Sequence, residues 1–178
     1  MLKNGEAGLW CCCKPASPPD EAEALYLGAG DVNFDLAVIN RKEAEARTLI
    51  ATGQVNLRVP HPLLGNKTPF IYVVTLGYQS LVWTILDTGA SPYACYSVYR
   101  FNQQRSFVLP MIVGWLNDRN YSIVFHKDTD KKRTQVYRVE IKSSEDKFVA
   151  RWFLPSQNEF ETLYQELQRS RSPYETIN

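Results

Sequence analysis

From Tyr137 to Lys142 the side chains alternate without a break: Tyr137, Val139 and Ile141 are apolar, and Arg138, Glu140 and Lys142 are charged. A period of two puts each set on one face of an extended chain, so the segment predicts a half-buried β-strand. Downstream, Ser156 stands three places before Glu159, the spacing of a capping box, and Phe160, Leu163 and Leu167 follow at helical intervals. An amphipathic C-terminal helix is therefore expected, with its apolar stripe laid on the sheet. Tyr137, Val139, Ile141, Phe148, Ala150, Trp152, Phe160, Leu163 and Leu167 should form one buried cluster.

After Gly53 the chain reads as short aromatic and β-branched runs separated by polar turns. The runs at 70–77, 81–86, 93–101, 107–116, 121–127, 135–142 and 147–154 are expected as seven antiparallel strands. Asn117 to Asn120 and Ser143 to Asp146 are turn-like joins between consecutive runs. Before Gly53, Asp20 to Leu27 predicts a short helix, its acids at the positive N-terminal end. Asn40 caps a second helix from Arg41 to Ala51, which Gly53 ends. No internal repeat is read in the chain.

With 178 residues, the sequence suits one folded domain plus tails. The expected divisions are a flexible arm at 1–19, rich in proline, a helical extension at 20–54, a β-rich domain at 55–169 and a polar tail at 170–178. A net charge of +1 excludes a broad electrostatic footprint for nucleic acid. No apolar stretch reaches the roughly 20 residues that span a bilayer.

Seven antiparallel strands closed by one amphipathic helix resemble the pleckstrin-homology superfold, and the segment from Val136 to Arg169 looks like its last two strands and helix. The resemblance implies a mainly β sandwich or barrel capped by the C-terminal helix. Phosphoinositide-reading members place basic side chains in the first loop, where this chain has Gly77-Tyr78-Gln79-Ser80. Phosphoinositide binding is therefore not expected. With the consecutive Cys11, Cys12 and Cys13 in the arm ahead of this domain, the pattern resembles acylated pleckstrin-homology-like proteins of apicomplexan parasites, including inner-membrane-complex sub-compartment proteins. That resemblance implies a lipid-tethered scaffold of cortical membranes. Its pattern has a glycine after the initiator methionine, where this chain has Leu2.

Three consecutive cysteines, Cys11, Cys12 and Cys13, cannot make a disulfide framework and lack the spacing of a zinc ligand set. They are expected to be S-acylated, with Leu9 and Trp10 giving the first weak membrane contact. The hairpin tip at 126–133 offers Lys127, Lys131, Lys132 and Arg133 to an anionic lipid. Leu86-Asp87-Thr88-Gly89-Ala90-Ser91 resembles the catalytic loop of retroviral-type aspartic proteases, with Asp87 the acid of a dimer. No glycine lies between Gly89 and Gly114, so the glycine-rich flap of such enzymes is missing.

The expectation is a non-enzymatic scaffold without cofactor or metal, tethered through its arm to the cytoplasmic face of a membrane and presenting its domain to protein partners. The alternative is a peptide- or lipid-binding module using the 127–133 hairpin, and the remote alternative is the protease.

Overall fold

The computed structural model describes residues 28–94 and 98–170. Leu9, Trp10, the three cysteines, the helix expected at 20–27 and nearly all of the polar tail lie outside them.

The first half is helical. Helix α1 (Ala29–Ile39) and α2 (Glu43–Ala51) form an antiparallel pair, and after a loop holding a 3-10 turn at Pro62–Leu64 come α3 (Pro69–Thr75) and α4 (Gln79–Asp87). A second 3-10 turn at Pro92–Ala94 leads to the long α5 (Val98–Asp118). Three strands follow, β1 (Ser122–Thr129), β2 (Gln135–Lys142) and β3 (Phe148–Leu154), and α6 (Gln157–Ser170) ends the described chain.

The seven-stranded, mainly β architecture is therefore wrong: among the described residues there are six α-helices and a single three-stranded sheet. Of the first four expected strands, the runs at 70–77, 81–86 and 107–116 lie largely in α3, α4 and α5, and the run at 93–101 falls partly outside the described residues. The runs in α3 and α4 are nearly continuous apolar stretches, and burial on most sides removes the periodicity that separates a helix from a buried strand. Local signals favour the helix. Pro69 sits at the first position of α3, where its missing N–H costs nothing, and Thr68 caps the helix by accepting from the N–H of Ile71.

The two helix pairs are one motif used twice, at a step of 36 residues. That step takes Phe34 to Phe70, Val38 to Val74, Ala46 to Val82 and Ile50 to Leu86, and all eight are buried. It also takes Arg41 to Gly77 and Gly53 to Gly89, all four in the left-handed region with φ of 60°, 72°, 71° and 83°. The paired turns thus reverse the chain at matching places, and α2 packs beside α4. Arg41 adopts a conformation that glycine takes at lower cost.

The three strands expected last are present and form an antiparallel meander in the order β1-β2-β3. Register runs from Ser122 opposite Lys142 to Thr129 opposite Gln135, then from Tyr137 opposite Leu154 to Ile141 opposite Ala150. A bulge between Ile141 and Lys142 then sets Lys142 against Phe148. This extra residue turns Phe148 outward, 63% exposed, so it leaves the expected cluster. Val139, Ile141, Ala150, Trp152, Phe160, Leu163 and Leu167 are all buried, and Tyr137 is partly so.

Helices and sheet share one core. The rings of Trp115 on α5 and Trp152 on β3 stack at 5.9 Å, and Tyr93 approaches Trp152 at 6.4 Å. At the start of α6 half of the expected capping box is present: Ser156 Oγ accepts from the N–H of Glu159 and also donates to the Glu159 carboxylate, so that carboxylate meets the Ser156 hydroxyl. Buried Glu159 also accepts from Arg105 Nη2 at 2.7 Å, tying α6 to α5.

Candidate functional site

Two polar clusters and one groove arise from the helical half. In the first cluster His61 is fully enclosed, with Nδ1 at 2.6 Å from Asp35 Oδ1 and Nε2 at 2.9 Å from the Asn56 carbonyl. Asp31 Oδ1 lies 3.6 Å from Nε2 and accepts from the N–H of Asn56, while Oδ2 accepts from the N–H of Gly28. Burial alone would strip the imidazole of its second proton. The bonds to Asp35 and the Asn56 carbonyl, and the charges of Asp35 and Asp31, outweigh it and hold the pKa above its usual 6.5. The cluster pins the loop after α2 to α1.

The second cluster holds Asp87. It stands at the C-terminal end of α4, in helix instead of the strand-to-turn setting that the protease resemblance implied. A carboxylate there opposes the helix dipole and needs compensation. Oδ1 accepts from Trp115 Nε1 at 2.7 Å and Arg119 Nε at 3.3 Å, and Oδ2 accepts from Arg119 Nη2 at 3.0 Å. The bond to Asp87 is the main reason that the Arg119 guanidinium holds its proton more tightly than usual. Arg119 also lies 5.8 Å from the Trp83 ring, whose Nε1 donates to the Met111 carbonyl.

Arg119, Asp87 and Trp83 form one wall of a groove of about 690 Å³, which Ile50, Arg47 and Thr84 help to line. Gly114 lets the indole in, because a Cβ there would sit 3.3 Å from the Trp83 ring. The groove runs between the second helices of the two repeated pairs and the end of α5. Among the described residues, no three His, Cys, Asp or Glu side chains are placed to hold a metal ion.

The basic residues singled out in the sequence lie where the hairpin reading put them, at the β1-β2 end. Lys127 ends the inward row of β1, with Nζ 5.3 Å from the Phe160 ring. Lys131, Lys132 and Arg133 occupy the exposed turn, closed by Asp130 accepting from the N–H groups of Lys132 and Thr134. The outer sheet face carries Asp128, Arg138, Glu140 and Arg151 in a connected ion network. None of the long-range partners in the two polar clusters was foreseen. His61 meets aspartates 26 and 30 positions away through an irregular loop, for which no spacing rule gives a signal.

Compared with protein-family models, with curated proteins and with solved structures, the chain gives no match. Nothing among these comparisons identifies a pleckstrin-homology-like domain or the apicomplexan proteins named above. No helix among the described residues is long and apolar enough to cross a membrane.

Proposed function

We propose that the chain is a non-enzymatic scaffold, held at the cytoplasmic face of a membrane by S-acylated Cys11, Cys12 and Cys13, whose helix pairs bind a protein partner. The observation that carries the protein-binding part is the 36-residue recurrence of buried and left-handed positions. Helix–turn–helix units that recur at such a step stack through their apolar faces and leave extended surfaces for partners. The Thr68-Pro69 start of α3 and the tight turn before α4 are similar to ankyrin-type units.

The first pair supplies a surface of this kind. Val32, Leu36 and Ile39 lie at i, i+4 and i+7 on α1 and are 39%, 46% and 46% exposed, opposite the buried Phe34, Ala37 and Val38. An exposed apolar stripe of this kind, opposite a buried face, suits a partner. The anchor part rests on chemistry: two or more acyl chains, at about 0.8 kcal/mol per buried CH₂, make attachment stable where one does not.

A photo-crosslinking residue placed at Leu36, in the chain expressed in its own cells, tests the surface. A discrete adduct from position 36 that is missing from position 145, in the exposed β2-β3 turn, is expected. Equal labelling from both positions, or none from 36, would contradict the reading.

A further inference from the structure

The sheet ends in an open edge. β1 is bonded to β2 on one side only, so alternate N–H and C=O groups along Ser122–Thr129 point away from the sheet. No other described strand pairs with them. The opposite edge, at β3, is approached by the chain: a Cβ on Gly89 would lie 3.6 Å from the Val149 carbonyl oxygen. β1 has no proline, and the register shift of the sheet lies between β2 and β3, so neither device closes this edge.

The ground beside β1 is already built. Phe125 meets Phe160 and Tyr164 of α6 edge-on, with ring centroids at 5.1 and 5.3 Å, and Tyr164 is 45% exposed. An inward side chain of a fourth strand, opposite Phe125, would rest on this aromatic shelf. Two residues along the same face, its neighbour would meet Lys127.

The charges near this edge are unequal in their engagement. Asp128 is bound by Arg138, and Asp130 is spent on two backbone N–H groups of its own turn. Lys127, Lys131, Lys132 and Arg133 have no salt bridge among the described residues. An extended segment with acids toward the hairpin tip complements this arrangement.

We propose that β1 is the docking edge for an extended acidic segment of a partner protein, added as a fourth antiparallel strand. In this register an acidic residue faces Lys127, an apolar residue two places later faces Phe125, another faces Ile123, and further acids precede them beside the tip. Main-chain pairing supplies the attachment and the alternating side chains the selectivity. The inference deepens the scaffold reading and rests on it, but its failure would leave the crosslinking result at Leu36 and the fate of the cysteine arm untouched.

The test is titration of the isotopically labelled full chain with the acetylated peptide Asp-Asp-Ser-Glu-Thr-Phe-Thr-Val-Thr, read by amide NMR shifts. Shifts centred on Ile123 to Thr129 are expected, lost when every second peptide nitrogen is methylated and weakened at least tenfold by Lys127→Glu. Lys127 is exposed, so unchanged remaining resonances will show that this variant folds. No shift at millimolar peptide, equal binding of the methylated peptide, or shifts remote from β1 would overturn the assignment. So would capture of the unacylated chain by phosphatidylserine vesicles, abolished by neutralising Lys131, Lys132 and Arg133, if the peptide leaves β1 unshifted; those cations would then serve a membrane.

Discussion

His61 Nδ1 lies 2.6 Å from Asp35 Oδ1, and both side chains are closed off from solvent. Nε2 faces the carbonyl of Asn56, which can only accept, so it donates there, and the second proton that makes the ring an imidazolium is held on Nδ1 by the bond to Asp35. Its folded pKa is raised above 6.5. The stabilisation is therefore complete below about pH 6.5 and declines as pH rises through the folded value. Urea unfolding followed across that range should show stability falling with pH, and the slope should vanish in His61→Ala. Breaking a buried ion pair by removing one partner should cost about 3–5 kcal/mol.

Two substitutions at Asp87 separate its bond to Trp115 from its ion pair with Arg119. Asp87→Ala leaves the indole N–H of the fully buried Trp115 without its acceptor, an expected loss of about 1–3 kcal/mol. Asp87→Asn keeps an acceptor and loses only a half-exposed ion pair with Arg119, about 0–1 kcal/mol. Chemical unfolding of both variants should give that order. Equal losses would show that the bond to Trp115 contributes nothing.

Gly30 tests how α1 closes on the turn that follows α2. A Cβ there would stand 2.1 Å from the Gln54 carbonyl oxygen, and that oxygen belongs to backbone that cannot swing away. Gly30→Ala should destabilise by about 1–3 kcal/mol through overpacking, although alanine favours helices. A stabilised Gly30→Ala variant would place the turn elsewhere.

Leu163 lies at the centre of the contact between α6 and the sheet and is fully buried. Truncation to alanine should cost about 2–5 kcal/mol, a large share of a typical domain's total. Thermal unfolding by circular dichroism would measure it. A change below about 1 kcal/mol would mean that α6 does not carry the core.

The C-terminal third was legible because its signals are local. Tyr137 to Lys142 alternates at period two, and Ser156 and Glu159 sit at capping distance. Phe148 was misplaced because a bulge adds a residue to β3, and no letter in the sequence announces it. The helical half was misread because Phe70 to Val74 and Leu81 to Leu86 are nearly unbroken apolar runs. Its repeat survives in Phe34 and Phe70 and in Thr52-Gly53 and Thr88-Gly89, but Ala46 against Val82 keeps only the apolar character. The tip cations could be read from one stretch of chain. The partners of Asp87 and His61 could not, since only the fold brings them together.

The proposed membrane attachment rests on the arm, and membrane fractionation of the full chain with Cys11, Cys12 and Cys13 changed to serine tests it most directly. The unaltered chain should sediment with membranes and carry hydroxylamine-sensitive acyl groups, and the triple variant should move to the soluble fraction without them. A triple variant that sediments as the unaltered chain does, or an unaltered chain without thioester-linked acyl groups, would contradict the account.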